Sequence, residues 1–240
     1  MTVISGDRLD EIRSGLRSNH LGPGPHPDGS PQSVHGGDRA GVKKTSTSTT
    51  GAGPAGGYSR REAGAGDYDD FVSGAGERES WTLSQKISAS LFDEDSSGYG
   101  PGSEAEVLID SNGRVQAQFT AENSWQDFIL ELLEIKQSDL DYFTDGGREP
   151  YEVHALSVAP RNLTAGGESG WGVTAMHEII KDAKSRDADY LFLHAAEEAD
   201  AFYNNIGMYS LEEISRPGYF VMSAYGMENF EEKYNARFSS

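Results

Sequence analysis

Between Val153 and Met208 the chain sets an apolar strand, a glycine-bearing loop, an amphipathic helix and a second apolar strand in that order. No other feature restricts its fold as much. The first strand, Val153-His154-Ala155-Leu156-Ser157-Val158, ends at Ala159-Pro160, and the loop Ala165-Gly166-Gly167-Glu168-Ser169-Gly170-Trp171-Gly172 follows. A helix is expected from about Val173 to Ser185, with Val173, Met176, Ile180 and Ala183 as its buried stripe. Glu178, Lys181, Asp182 and Lys184 then face water. The second strand is Tyr190-Leu191-Phe192-Leu193. A unit of this length makes a right-handed crossover between parallel strands. Strand end, glycine loop and helix start also aim free N–H groups and the positive end of a helix dipole at one spot, which is a phosphate cradle in physical terms. The bland reading of the same residues is a glycine-rich surface loop.

The flanking sequence completes an α/β pattern. Val107 and Ile109 alternate with polar neighbours, Ser111-Asn112-Gly113 is a turn, and Val115, Ala117 and Phe119 alternate again, predicting a hairpin over Glu106–Thr120. Trp125, Phe128, Ile129, Leu132, Leu133 and Ile135 predict one helix over Ser124–Leu140, with Ser124 and Asp127 as capping pair. A short helix from about Glu197 to Ile206, a strand at Tyr219–Ala224 and a closing helix at Glu228–Phe238 follow. The expected fold class is α/β, a single mixed β-sheet flanked by helices.

Residues 19–66 are dominated by Gly, Ser, Thr, Pro and His. Such sequence buries too little apolar surface to offset roughly 1–2 kcal/mol of backbone entropy per ordered residue. Residues 1–80 therefore read as a disordered tail and 81–240 as the folded domain. Leu9, Ile12 and Leu16 are spaced for a short helix at 7–17, either a segment that docks on a protein partner or a frayed end with incidental periodicity.

The formal net charge is −19, yet residues 1–60 hold five acids against seven Lys and Arg, so the acidity lies on the remainder. An acidic body without clustered cations repels a phosphate backbone, which argues against a nucleic-acid partner. Few lysines beside many carboxylates suit either a protein of saline surroundings or an ordinary acidic bacterial or phage protein. With no cysteine, disulfides, thiolate metal sites and cysteine nucleophiles are excluded. No apolar run approaches the ~18 residues of a membrane span and no signal peptide is evident, so a cytoplasmic protein without a membrane partner is expected. Asp67-Tyr68-Asp69-Asp70 and Asp93-Glu94-Asp95 lack the glycine and distal glutamate of a calcium loop and read as solvated acidic runs, and no metal is expected.

Val158-Ala159-Pro160, the pair Gly170-Trp171-Gly172 and the segment Ala199-Asp200-Ala201-Phe202-Tyr203-Asn204-Asn205-Ile206-Gly207-Met208 occur in the order found in the GNAT superfamily of acyl-CoA-dependent N-acetyltransferases. The chain resembles that family over about Tyr151–Val221. The resemblance implies acetyl-CoA as co-substrate, held through Val158, Gly170, Trp171, Gly172 and Val173. Where the family has Arg or Gln, three before the first glycine, this chain has Gly167, and Arg161 is the stand-in further back. The resemblance also implies Tyr203 as the acid that protonates the departing thiolate; its other reading is a ring packing a short helix on the sheet.

Strand alternation puts Glu152 and His154 on one face as candidate bases, and His194 at the end of its strand is a second histidine. Each histidine also reads as a half-buried side chain with its hydrogen bonds satisfied. The expected activity is acetyl transfer to a primary amine, on a small molecule or a protein, by direct attack. The rival expectation is an inactive fold of the same kind serving as an interaction module or a virion-associated structural protein.

Overall fold

The computed structural model describes residues 49–51, 54, 57–64, 66–92, 105–163, 170–196 and 199–238. They fall within one compact unit, Lys44–Ser240. The expected helix at 7–17, the acidic run Asp93-Glu94-Asp95 and residues Ala165 to Ser169 of the glycine loop lie outside the described residues.

Eight strands form one mixed sheet. They are β1 (Thr49–Gly51), β2 (Tyr58–Glu62), β3 (Glu106–Asp110), β4 (Val115–Asn123), β5 (Pro150–Val158), β6 (Tyr190–His194), β7 (Tyr209–Ser210) and β8 (Tyr219–Ser223), in the order β1-β2-β3-β4-β5-β6-β8-β7. The helices are α1 (Asp67–Val72), α2 (Leu83–Phe92), α3 (Gln126–Leu133), α4 (Gln137–Thr144), α5 (Trp171–Ser185), α6 (Asp200–Asn205) and α7 (Ala224–Phe238). All neighbouring strands pair antiparallel except β5 and β6, the parallel pair expected from the crossover. The α/β class with a single mixed sheet is as the sequence predicts.

Of the three apolar clusters among the described residues, the two around β5, β6 and β8 lie on opposite faces of the sheet. Val153, Leu191, Leu193, Phe220 and Met222 meet Trp171, Met176, Ile179, Ile180 and Tyr234 of α5 and α7. Tyr190, Phe192 and Val221 point the other way, onto Ile129, Leu133, Leu140 and Phe143 of α3 and α4. The alternation along β5 and β6 produces this division directly.

Several expectations need correction. The folded region begins well before residue 81, because β2 pairs with β3 along its full length, from Tyr58↔Asp110 to Glu62↔Glu106. Tyr58 is buried there, and the Arg60 guanidinium lies 5.1 Å from the centre of the Phe119 ring. Secondly, the helix expected over Ser124–Leu140 is two helices. Glu134 takes φ 52 and closes α3 in the left-handed region, and α4 starts after Lys136. The Ser124 hydroxyl does not cap α3 but donates to Glu152 at 2.9 Å. Thirdly, Glu178 does not face water. It is buried on α5, where it accepts from the Tyr58 hydroxyl at 2.7 Å, from Lys181 at 2.8 Å and from Arg60 at 3.2 Å.

Asp67 also departs from the expected solvated run. Its two carboxylate oxygens each accept from Arg61 at 2.6 Å, one takes the Gly64 N–H at 2.7 Å as well, and this pairing opens α1. The hairpin turn is as expected: Gly113 has φ 81, and the Asp110 carboxylate accepts from the N–H groups of Asn112 and Arg114.

Candidate active site at the β5–β6 fork

β5 pairs with β6 only from Pro150↔Tyr190 to Val153↔Leu193, whereas it stays paired with β4 as far as Ala117↔Val158. Residues 154–158 therefore run on past β6, which turns away with Ala195 N–H bonded to Gly218. The result is a fork whose one wall is a strand edge. Ala159 donates to Gln116 on β4, so by alternation the N–H and C=O of Val158 point away from β4, into the fork. An edge of this kind takes an extended, amide-bearing ligand as an added strand.

On the α3–α4 face, at the vertex of the fork, stands a cluster of polar side chains. His154 is enclosed, with only 5% of its side chain exposed. Its Nε2 lies 3.0 Å from Oε1 of Glu122, and its Nδ1 lies 3.4 Å from Oε1 of Glu152. Glu122 and Glu152 are register partners on adjacent strands. A bulge after Thr120 places His154 between them, which fixes its ring by a carboxylate at each nitrogen. Ser124 holds the other oxygen of Glu152. The Tyr219 phenol lies on the same side. Burial raises its pKa; Arg216 opposes that shift and Glu152 adds to it. The Tyr219 ring stacks on Phe192 and meets that of His194 at 4.5 Å, so His194 sits beside the cluster on an aromatic shelf.

On the opposite face Tyr203 of α6 is buried against Phe202 and Phe220, with ring centres 5.1 Å and 5.4 Å away. Burial pushes its phenol up to about 12. The group therefore keeps its proton at neutral pH.

The predicted cofactor residues divide. Trp171, Gly172 and Val173 form the first turn of α5, which Gly170 precedes without a side-chain cap; at Gly172 and Val173 the N–H groups come too early for an i−4 partner inside the helix. Gly170 holds φ 74, and a Cβ on it would come 2.9 Å from Pro54. A Cβ on Gly172 would come 3.3 Å from the Phe202 ring and 3.5 Å from Val158. The space beside these glycines thus holds this chain's own side chains. A valine at either position would disturb this packing.

Arg161 does not reach the helix start. Its guanidinium donates to the carbonyls of Asp70, Phe71 and Ser73, at 2.8, 2.9 and 3.2 Å, and also to Val115. It ties the end of α1 to β4 and has little left for a phosphate.

Acetyl-CoA, as implied by the motif resemblance, fits the fork in two respects. The pantetheine arm carries amides suited to a strand edge, and the first turn of α5 offers N–H groups to a pyrophosphate. Sequence reasoning missed Glu122. The signal for it was the paired geometry of β4 and β5: two carboxylates opposite each other repel unless a third group lies between them.

No protein-family model matches the chain, and no curated protein sequence matches it. Similar solved structures include the KacTA–DNA complex (16% identity, TM-score 0.46, covering 73% of this chain and 99% of that one). Another is the AtaT–AtaR complex bound to DNA (13%, TM-score 0.43, 73% and 98%). A third is a GNAT family acetyltransferase from Brucella melitensis with acetyl-CoA (14%, TM-score 0.40, 70% and 88%). In the order of its sequence motifs the chain resembles the GNAT superfamily, and the solved structures to which it is similar include a member of that family.

Proposed function

We propose that the chain is an acyl-CoA-dependent N-acetyltransferase that acts on a primary amine by direct transfer. The observation that carries this reading is the fork, flanked on one sheet face by the Glu122–His154–Glu152 cluster and on the other by the Tyr203 phenol. The half-exposed Glu122 carboxylate accepts the proton of the amine nitrogen as that nitrogen bonds to the acyl carbon, and passes it to the enclosed His154 ring. Glu122 and Glu152 hold the ring and favour the positive charge it gains. Tyr203 gives its proton to the sulfur as the carbon–sulfur bond breaks. The edge of β5 and the first turn of α5 position the co-substrate, and the thioester it supplies is the activated acyl group. The carboxylates at the vertex and the acidic composition suit a cationic acceptor, on a small molecule or a protein.

The test is release of free CoA thiol from acetyl-CoA with a panel of amines. The expected outcome is turnover by the wild type. Tyr203→Phe should lower kcat on the order of 10²-fold with little change in CoA affinity.

A second reading is an interaction module with a sealed fork. It is favoured by the packing of Phe202 over Gly172 and by the commitment of Arg161 to carbonyls. A melting temperature that is unmoved by acetyl-CoA, with no thiol release, would select it.

A further inference from the structure

The free edge of β5 is not bare. Helix α2 lies against it, and the Ser88 hydroxyl both accepts from the Val158 N–H at 3.2 Å and donates to the Val158 carbonyl at 2.5 Å. Two residues further along the chain, Gln85 donates to the carbonyl of Pro160 at 2.8 Å. Ser88 and Gln85 are both buried. A serine that satisfies the N–H and the C=O of one edge residue does what an added strand, or a ligand amide, would do at that place.

α2 is held at its two ends by different means. Thr82 caps it, with the Thr82 N–H donating to Gln85 Oε1 at 2.9 Å. At its far end Phe92 stacks on Phe71 at 4.7 Å and on Tyr68 at 6.0 Å. The helix is thus anchored to α1, while its middle closes the strand edge through hydroxyl and amide groups that water or a ligand can replace.

We propose that α2 is an autoinhibitory plug: its Ser88 occupies the backbone groups of Val158 that an acyl-CoA pantetheine amide must take, so binding requires α2 to leave β5. This rests on the reading of the fork as an acyl-CoA site. Apparent affinity is then the intrinsic affinity reduced by the fraction of molecules with the edge open. Removing the Ser88 hydroxyl leaves Val158 unsatisfied only in the closed form, since a bound ligand restores both bonds. Loss of the hydroxyl therefore shifts the population towards the open form.

The experiment is calorimetric titration of CoA into full-length wild type, Ser88→Ala and Gln85→Ala. It is paired with amide hydrogen exchange over Leu83–Phe92 with and without CoA. The expected result is affinity on the order of 3- to 10-fold tighter in Ser88→Ala, tighter also in Gln85→Ala, and faster exchange of α2 in the CoA-bound wild type. Circular dichroism checks that both variants fold. Wild-type binding with equal affinity in both variants, or with α2 equally or better protected, overturns the plug and leaves the acyl-CoA site standing. No CoA binding by any of the three proteins overturns both.

Discussion

Glu178 is 1% exposed on its side chain and shares one end of the sheet with Tyr58, Arg60, Lys181 and Asp182. Burial alone would raise its pKa, but Lys181, Tyr58 and Arg60 hold it below the ordinary carboxylate range. A carboxyl depressed in the folded state stabilises the fold above its unfolded pKa, and that stability is lost as pH falls through the folded value. Glu178→Ala is expected to cost about 3 kcal/mol, because Arg60 and Tyr58 lose a buried partner. Urea unfolding at neutral pH measures the loss. Glu178→Gln should flatten the decline in stability between about pH 5 and pH 2, measured by the same unfolding at each pH. The residue reads as solvated from sequence because its helical position lies beside Lys181 and Asp182. Nothing in that stretch announces that Tyr58 and Arg60, more than a hundred residues away, will cover it.

The two strands and the helix of the β5–β6 crossover were legible because their apolar periodicity is strong. Val153–Val158 and Tyr190–Leu193 became β5 and β6, and their parallel pairing followed from the helix between them. β2 was not legible: Tyr58-Ser59-Arg60-Arg61-Glu62 offers one apolar residue and sits in a glycine-rich stretch. Its stability comes from tertiary partners, the edge of β3 and the carboxylates of α5, which a local reading does not contain. The candidate site divides in the same way. Glu152 and His154 followed from strand alternation, but Glu122 depended on the bulged register of β4 against β5.

The break between α3 and α4 depends on Glu134, whose side chain is 86% exposed and whose φ of 52 suits glycine. Glu134→Gly should therefore raise stability by about 0.5–1 kcal/mol, seen as a higher melting temperature. The Arg216 guanidinium bonds to the backbone carbonyls of Leu133 and Glu134, so that clamp survives the change.

At the scale of the molecule, the place where the chain starts to fold decides which truncations survive. A chain beginning at Lys44 keeps β2 and all its partners and should match the full protein in melting temperature. One beginning at Trp81 loses β2 and α1, leaves Glu178 without Tyr58 and Arg60, and should aggregate or elute as an expanded species in size-exclusion chromatography. Equal behaviour of the two would remove β2 from the fold.

The sheet is two antiparallel leaves, β1 to β5 and β6 with β8 and β7, bound along one short parallel spine of four residue pairs. Parallel pairing is the weaker kind per residue, and this spine ends where the fork opens. Mechanically the molecule is a book with a short binding. A wedge entering at the fork meets this spine first, at its Val153↔Leu193 end. Whatever enters the fork thus presses on the junction of the two leaves, and the core that α5 and α7 share with both of them takes up the load.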